Sequence, residues 1–173
     1  MASYLLSGPT VEYRVEQPYA AIPIQAALEE WNKTTALVPE LFQWLENKNV
    51  LPAGAPFYRY WCLEVGKSEF DLEVGVPLER MVAGDERVIA SSIPEGSYVC
   101  AIHRGHPDML ADSVHEVEKW AEKEGLSFDK RFEGDIEIWN GRFEQYLTDP
   151  ETEPDLTKWE IELSFLILRD EIA

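Results

Sequence analysis

In the stretch Lys158-Trp159-Glu160-Ile161-Glu162-Leu163-Ser164-Phe165-Leu166, Trp159, Ile161, Leu163 and Phe165 alternate with Glu160, Glu162 and Ser164. That two-residue period is the signature of a pleated strand with one apolar face and one face carrying carboxylates. Phe70-Asp71-Leu72-Glu73-Val74-Gly75-Val76-Pro77 repeats the design, with Glu73 standing where Glu162 stands. A chain that writes the same half-buried strand twice is constrained to a duplicated architecture.

The remaining segments fall into two matching series. Val11 to Glu16 alternates as a strand, and a second short run follows from Tyr19 to Ile24. Leu37, Leu41, Trp44 and Leu45 share one helical stripe, with Pro39 placed in its first turn and Asn47-Lys48-Asn49 ending it. The turn Pro52 to Pro56 leads into the aromatic strand Phe57 to Val65, and Gly66-Lys67-Ser68 turns the chain into the Glu73 strand. After a connector over 79–86, Val88 to Ser92, the turn Pro94-Glu95-Gly96 and the strand Tyr98 to His103 reopen the pattern. Leu110, Val114, Val117 and Ala121 predict a second helix ending at Gly125. Asp135 to Trp139 reads as a strand that turns at Asn140-Gly141, and Phe143 and Tyr146 fall on a loop-like stretch. The halves match in order: Trp44 with Trp120, Tyr60-Trp61 with Ile138-Trp139, Glu73 with Glu162.

With 173 residues, the chain suits one large domain or two fused small units. No run approaches the roughly 18–20 apolar residues needed to cross a bilayer, Met1 to Gly8 lacks the pattern of a secretion signal, and a cytoplasmic location is expected. The net charge of -18 leaves no basic stripe for phosphates, so direct nucleic-acid binding is not expected, whereas cationic partners are attracted. Cys62 and Cys100 stand apart in apolar runs, which argues for free thiols. His103, His106 and His115 have no completing ligand set, so neither a metal nor a cofactor is expected.

Several phrases in this order resemble the GyrI-like family, also known as the effector-binding domain of AraC-type and MerR-type transcription regulators. They are Pro52 to Tyr58, Phe70 to Pro77, Ile93 to Tyr98, His103-Arg104-Gly105, Tyr146 to Pro150 and Trp159 to Glu162. The resemblance runs from about Val11 to Leu168. It implies an α+β fold: a duplicated β-α-β-β-β module with pseudo-twofold symmetry, antiparallel sheets with helices on one side, and a central ligand groove. The repeats are expected at about 11–78 and 87–168 within a single, stand-alone domain. By position in the motif, the glutamate that such proteins hold at the groove floor is Glu162, and Leu166 replaces the family's usual proline beside it.

Glu162 is the leading ligand-binding candidate, with Glu73 as its symmetry partner and Glu137 as a further carboxylate. Trp139 shares a face with Glu137 and is a candidate groove wall, as is Trp61 in the first half; core packing is the competing reading of both. Phe143 and Tyr146 are candidates for an aromatic rim. Three functions follow from these residues and the resemblance. The first is multidrug-type binding of lipophilic, preferably cationic, aromatic molecules by rings and a partly desolvated carboxylate. The second is hydrolysis of cyclopropane-bearing toxins with Glu162 as the catalytic carboxylate. The third is association of the acidic surface with gyrase.

Overall fold

The computed structural model describes residues 3–169 apart from 65 and 68, and does not describe the side chain of residue 28. Val65 and Ser68, expected in a strand end and a turn, therefore lie outside the described residues. Ten strands and three α-helices follow in the order β1 (Tyr4–Arg14), β2 (Gln17–Ala27), α1 (Trp31–Thr35), α2 (Leu37–Asn47), β3 (Phe57–Glu64), β4 (Glu69–Pro77), β5 (Ile89–Ile93), β6 (Gly96–Gly105), α3 (Leu110–Lys123), β7 (Lys130–Glu133), β8 (Ile136–Trp139), β9 (Arg142–Tyr146) and β10 (Glu160–Leu166). Among the described residues no helix is long and apolar enough to cross a membrane.

All ten strands join one antiparallel sheet whose main order is β1-β6-β10-β9-β3-β4-β2-β5, with the β7–β8 hairpin attached to β3. The order is twofold about the β9–β3 seam, so β3 corresponds to β9, β4 to β10, β2 to β6 and β5 to β1. Glu73 faces Arg59 across β4 and β3, and Glu162 faces Gln145 across β10 and β9, which makes the two glutamates geometric counterparts.

Two short links determine the shape of this sheet. Only residues 15 and 16 join β1 to β2, a reach of roughly 10 Å for extended chain. Five strands separate β1 from β2 in the sheet, which would put them about 29 Å apart if it were flat. The sheet must therefore curl until its ends meet. The link at residues 94 and 95 repeats the constraint: β5 pairs with β2 and β6 with β1 and β10, so the turn expected at Pro94-Glu95-Gly96 joins opposite ends of the sheet and makes no hairpin.

The curl creates an inside and an outside. Inside, Tyr19, Ala21, Phe57, Tyr98, Cys100, Phe143 and Leu166 pack into a closed cluster. Gly75 is required there, because a Cβ at that position would lie 2.5 Å from Cζ of Phe57. Outside, α2 buries Leu37, Leu41 and Leu45 on β2, β3 and β4, while α3 buries Val114, Val117 and Ala121 against β6 and β10. Each fully buried leucine contributes about 1.5–3 kcal/mol of hydrophobic stabilisation. The two helical layers thus flank the outer face of the seam.

Candidate functional site

β9 carries the residues at the seam. Its period of two sends Phe143 inward to the closed cluster and Glu144 and Tyr146 outward between the helical layers. Tyr58 of β3 lies opposite Glu144, and Tyr60 shares its face. Glu144 is only 7% exposed. Its Oε1 accepts hydrogen bonds from the Tyr60 hydroxyl at 3.0 Å and, at a longer 3.4 Å, from the Tyr146 hydroxyl. Among the described residues no lysine or arginine forms an ion pair with it, although Arg142 exerts a weaker attraction. Burial raises the Glu144 carboxyl pKa, while Arg142 and the two phenols pull it down without cancelling the rise. Burial, and then the neighbouring Glu144 charge, push the phenols of Tyr58, Tyr60 and Tyr146 upward.

Aromatic rings surround this carboxylate. Tyr58 and Tyr146 lie with centroids 5.0 Å apart, and Trp159 meets Tyr146 edge-on at 6.4 Å. Trp31 of α1 stands edge-on to Tyr58 at 5.5 Å and parallel to Tyr60 at 6.5 Å. Trp31, Tyr146 and Trp159 are half-buried, whereas Tyr58 and Tyr60 are buried. Ring faces around a desolvated anion favour a flat or bulky cation. Among the described residues no group of His, Cys, Asp and Glu has a metal-binding arrangement.

The other candidate residues lie elsewhere. Glu162 points to the inner side of the curl and already holds a cation, the Arg14 Nη1 at 2.8 Å. Glu73 accepts from the Tyr19 hydroxyl and from Trp61 Nε1, both at 2.6 Å, and Trp61 lies over the Arg59 guanidinium at 3.9 Å. Trp61, Glu73, Asp71 and Pro23 line an open cleft of ≈ 480 Å³ at the end of the inner face. Phe143 is a strand residue packed on Phe57, and Tyr146 is a strand residue of the seam; neither lies on a loop.

Trp139 requires a correction. It shares a face with Glu137 as expected, but that face is the outer one and α3 covers it, leaving Trp139 1% exposed among Val117, Leu163 and Phe165. Glu137 is paired with Lys130 at 3.0 Å. Trp61 and Trp139 are not counterparts, because β8 belongs to the attached hairpin whereas the strand related to β3 is β9. Sequence reasoning also missed Glu144. The available signal was weak: Phe143 and Tyr146, two ring residues of high strand propensity, directly after the Asn140-Gly141 turn.

A single curled antiparallel sheet with helices outside it, and a buried carboxylate among aromatic rings, are the frame of a small-molecule-binding domain. The chain belongs to the family of the GyrI-like small molecule binding domain, whose family model matches residues 9–167. No curated protein matches it by sequence. Its fold is similar to the C-terminal domain of EcmrR, at 17% identity and a TM-score of 0.77, covering 96% of this chain and 99% of that one. Against EcmrR in its complex with DNA the TM-score is 0.78 at 17% identity, and 96% of this chain spans just 58% of that protein. A hydrolase from Listeria innocua is similar at 15% identity, with a TM-score of 0.64 over 92% of this chain and 91% of the other. SAV2435, solved bound to tetraphenylphosphonium, is similar at 9% identity and a TM-score of 0.57, covering 93% of this chain and 94% of that one.

Proposed function

We propose that this small-molecule-binding domain takes lipophilic aromatic cations at the outer seam, over Glu144 and between α1 and α3. The carrying observation is a carboxylate almost withdrawn from water, hydrogen-bonded by phenols and lacking an ion-paired cation among the described residues. An arriving cation supplies the missing charge, and Tyr58, Tyr60, Tyr146 and Trp31 supply ring faces. The structural likeness to a protein solved with tetraphenylphosphonium supports this ligand class. Glu162, which Arg14 neutralises locally, has a supporting role on the inner face. Melting temperatures measured with tetraphenylphosphonium and with neutral triphenylphosphine oxide test the reading. A rise with the cation alone is expected; equal rises with both compounds would remove the carboxylate from the account.

One observation favours a second use of the same residue. A carboxyl whose pKa burial raises is, once ionised, a stronger base towards water than an ordinary carboxylate, and a hydrolase is among the proteins of similar fold. Mass spectrometry of a strained cyclopropane electrophile incubated with the protein separates the two: conversion of many equivalents supports turnover, and none beyond one supports binding alone.

A further inference from the structure

β1 is an end strand of the sheet, and β6 occupies its inner edge. Among the described residues no strand pairs with the outer edge. The polarity of that edge follows from two bonds: Gly105 N–H reaches Trp159 O and Ile167 N–H reaches Ser97 O, both at 2.9 Å. Residues 97, 99, 101, 103 and 105 of β6 thus direct their amide groups at β10, and the even-numbered ones direct theirs at β1. Thr10, Glu12 and Arg14 lie opposite even-numbered residues of β6, whereas Val11 and Tyr13 lie opposite Val99 and Ser97 and turn their N–H and C=O groups outward.

The side chains along this edge are self-complementary. When Val11-Glu12-Tyr13-Arg14-Val15 is laid antiparallel on a second copy with Tyr13 opposite itself, Glu12, which bonds Arg14 of its own chain at 2.8 Å, also faces the second copy's Arg14, itself bonded to Glu162, and Val11 faces its Val15. Charges on an edge strand ordinarily repel another edge; here they match in this register. Val11, Tyr13 and Val15 are also 49%, 65% and 69% exposed, so three large apolar side chains stand uncovered at one strand end.

We propose that this edge pairs with a second copy of the chain in antiparallel register about Tyr13, giving a twofold dimer with one sheet running through both copies. Tyr13 and its copy exchange both amide bonds, and Val11 lies opposite the second copy's Val15, in the link just beyond β1. Each copy carries a net charge of -18, so the dimer tightens as added salt screens the repulsion.

Sedimentation velocity on the full chain tests the proposal. Twice the 19.8 kDa chain mass is expected at high concentration, and increasingly so with salt. Tyr13→Lys, which sets two ammonium groups on the axis at an exposed position, is expected to sediment as a monomer with an unchanged melting temperature. Tyr13→Cys is expected to form a disulfide-linked dimer on oxidation, because the Cα atoms of a hydrogen-bonded antiparallel pair are about 5.5 Å apart. Val11→Cys, which meets Val15 and not itself, is expected to remain uncrosslinked. Wild-type protein that stays at the chain mass up to about 1 mM, a range in which weak pairing shows, would overturn the proposal. So would a dimer that survives Tyr13→Lys, or equal crosslinking through positions 11 and 13.

Discussion

Among the described residues Glu144, like Glu73, lacks the ion pair that Glu162 has in Arg14 and Glu137 in Lys130: Arg142 attracts its charge and the Tyr60 and Tyr146 phenols hydrogen-bond it. Its folded-state pKa lies above the unfolded value, so between the two the folded chain keeps a proton that the unfolded chain has lost. The associated stability is complete below the ordinary carboxyl pKa and is lost as pH rises towards the folded-state value. Glu144→Gln is therefore expected to raise the melting temperature at pH 7 by about 2–4 °C per kcal/mol of relieved desolvation, and to flatten the pH dependence in thermal denaturation. Gly75→Ala acts in the opposite direction. Its Cβ would meet the Phe57 ring at 2.5 Å, and overpacking of this kind costs about 1–3 kcal/mol, measurable as a lower urea midpoint.

At the level of elements, the site depends on two helical layers that flank a seam. Leu41 holds α2 against the sheet and is fully buried, so Leu41→Ala is expected to cost about 2–5 kcal/mol in denaturant unfolding. Trp31 on the five-residue α1 packs, partly buried, against the rings of Tyr58, Tyr60 and Phe70. Trp31→Ala is expected to weaken a bound aromatic cation about tenfold, the equivalent of roughly 1.4 kcal/mol, in a fluorescence or calorimetric titration. Both main helices were legible because Leu37, Leu41 and Leu45, and Val114, Val117 and Ala121, keep a strict helical spacing. β9 was not legible. Five residues with Arg142, Glu144 and Gln145 among them look solvated, and the neighbouring strands that bury Glu144 are 86 and 19 positions away at Tyr58 and Leu163.

For the whole molecule, duplication was readable from Glu73 and Glu162, since both copies kept the strand and its carboxylate. The curl was not, because local turn residues such as Pro94 and Glu95 show where the chain bends and not which strand it will pair with. The curl decides which side chains face inward and which face the helices, and so it separates Glu162, inside with Arg14, from Glu144, outside with the phenols. The net charge of -18 gives this molecule a long-range pull on cations, and the association rate of a cationic ligand is expected to fall as salt rises in stopped-flow measurements. The most direct test is the dissociation constant of tetraphenylphosphonium, measured calorimetrically as pH is raised from the ordinary carboxyl range, for the wild type, Glu144→Gln and Glu162→Gln. Wild-type and Glu162→Gln affinities should rise with pH as residue 144 ionises, and Glu144→Gln should bind at least about tenfold more weakly with no such rise. Unchanged affinity in Glu144→Gln, with the loss appearing in Glu162→Gln, would contradict the assignment.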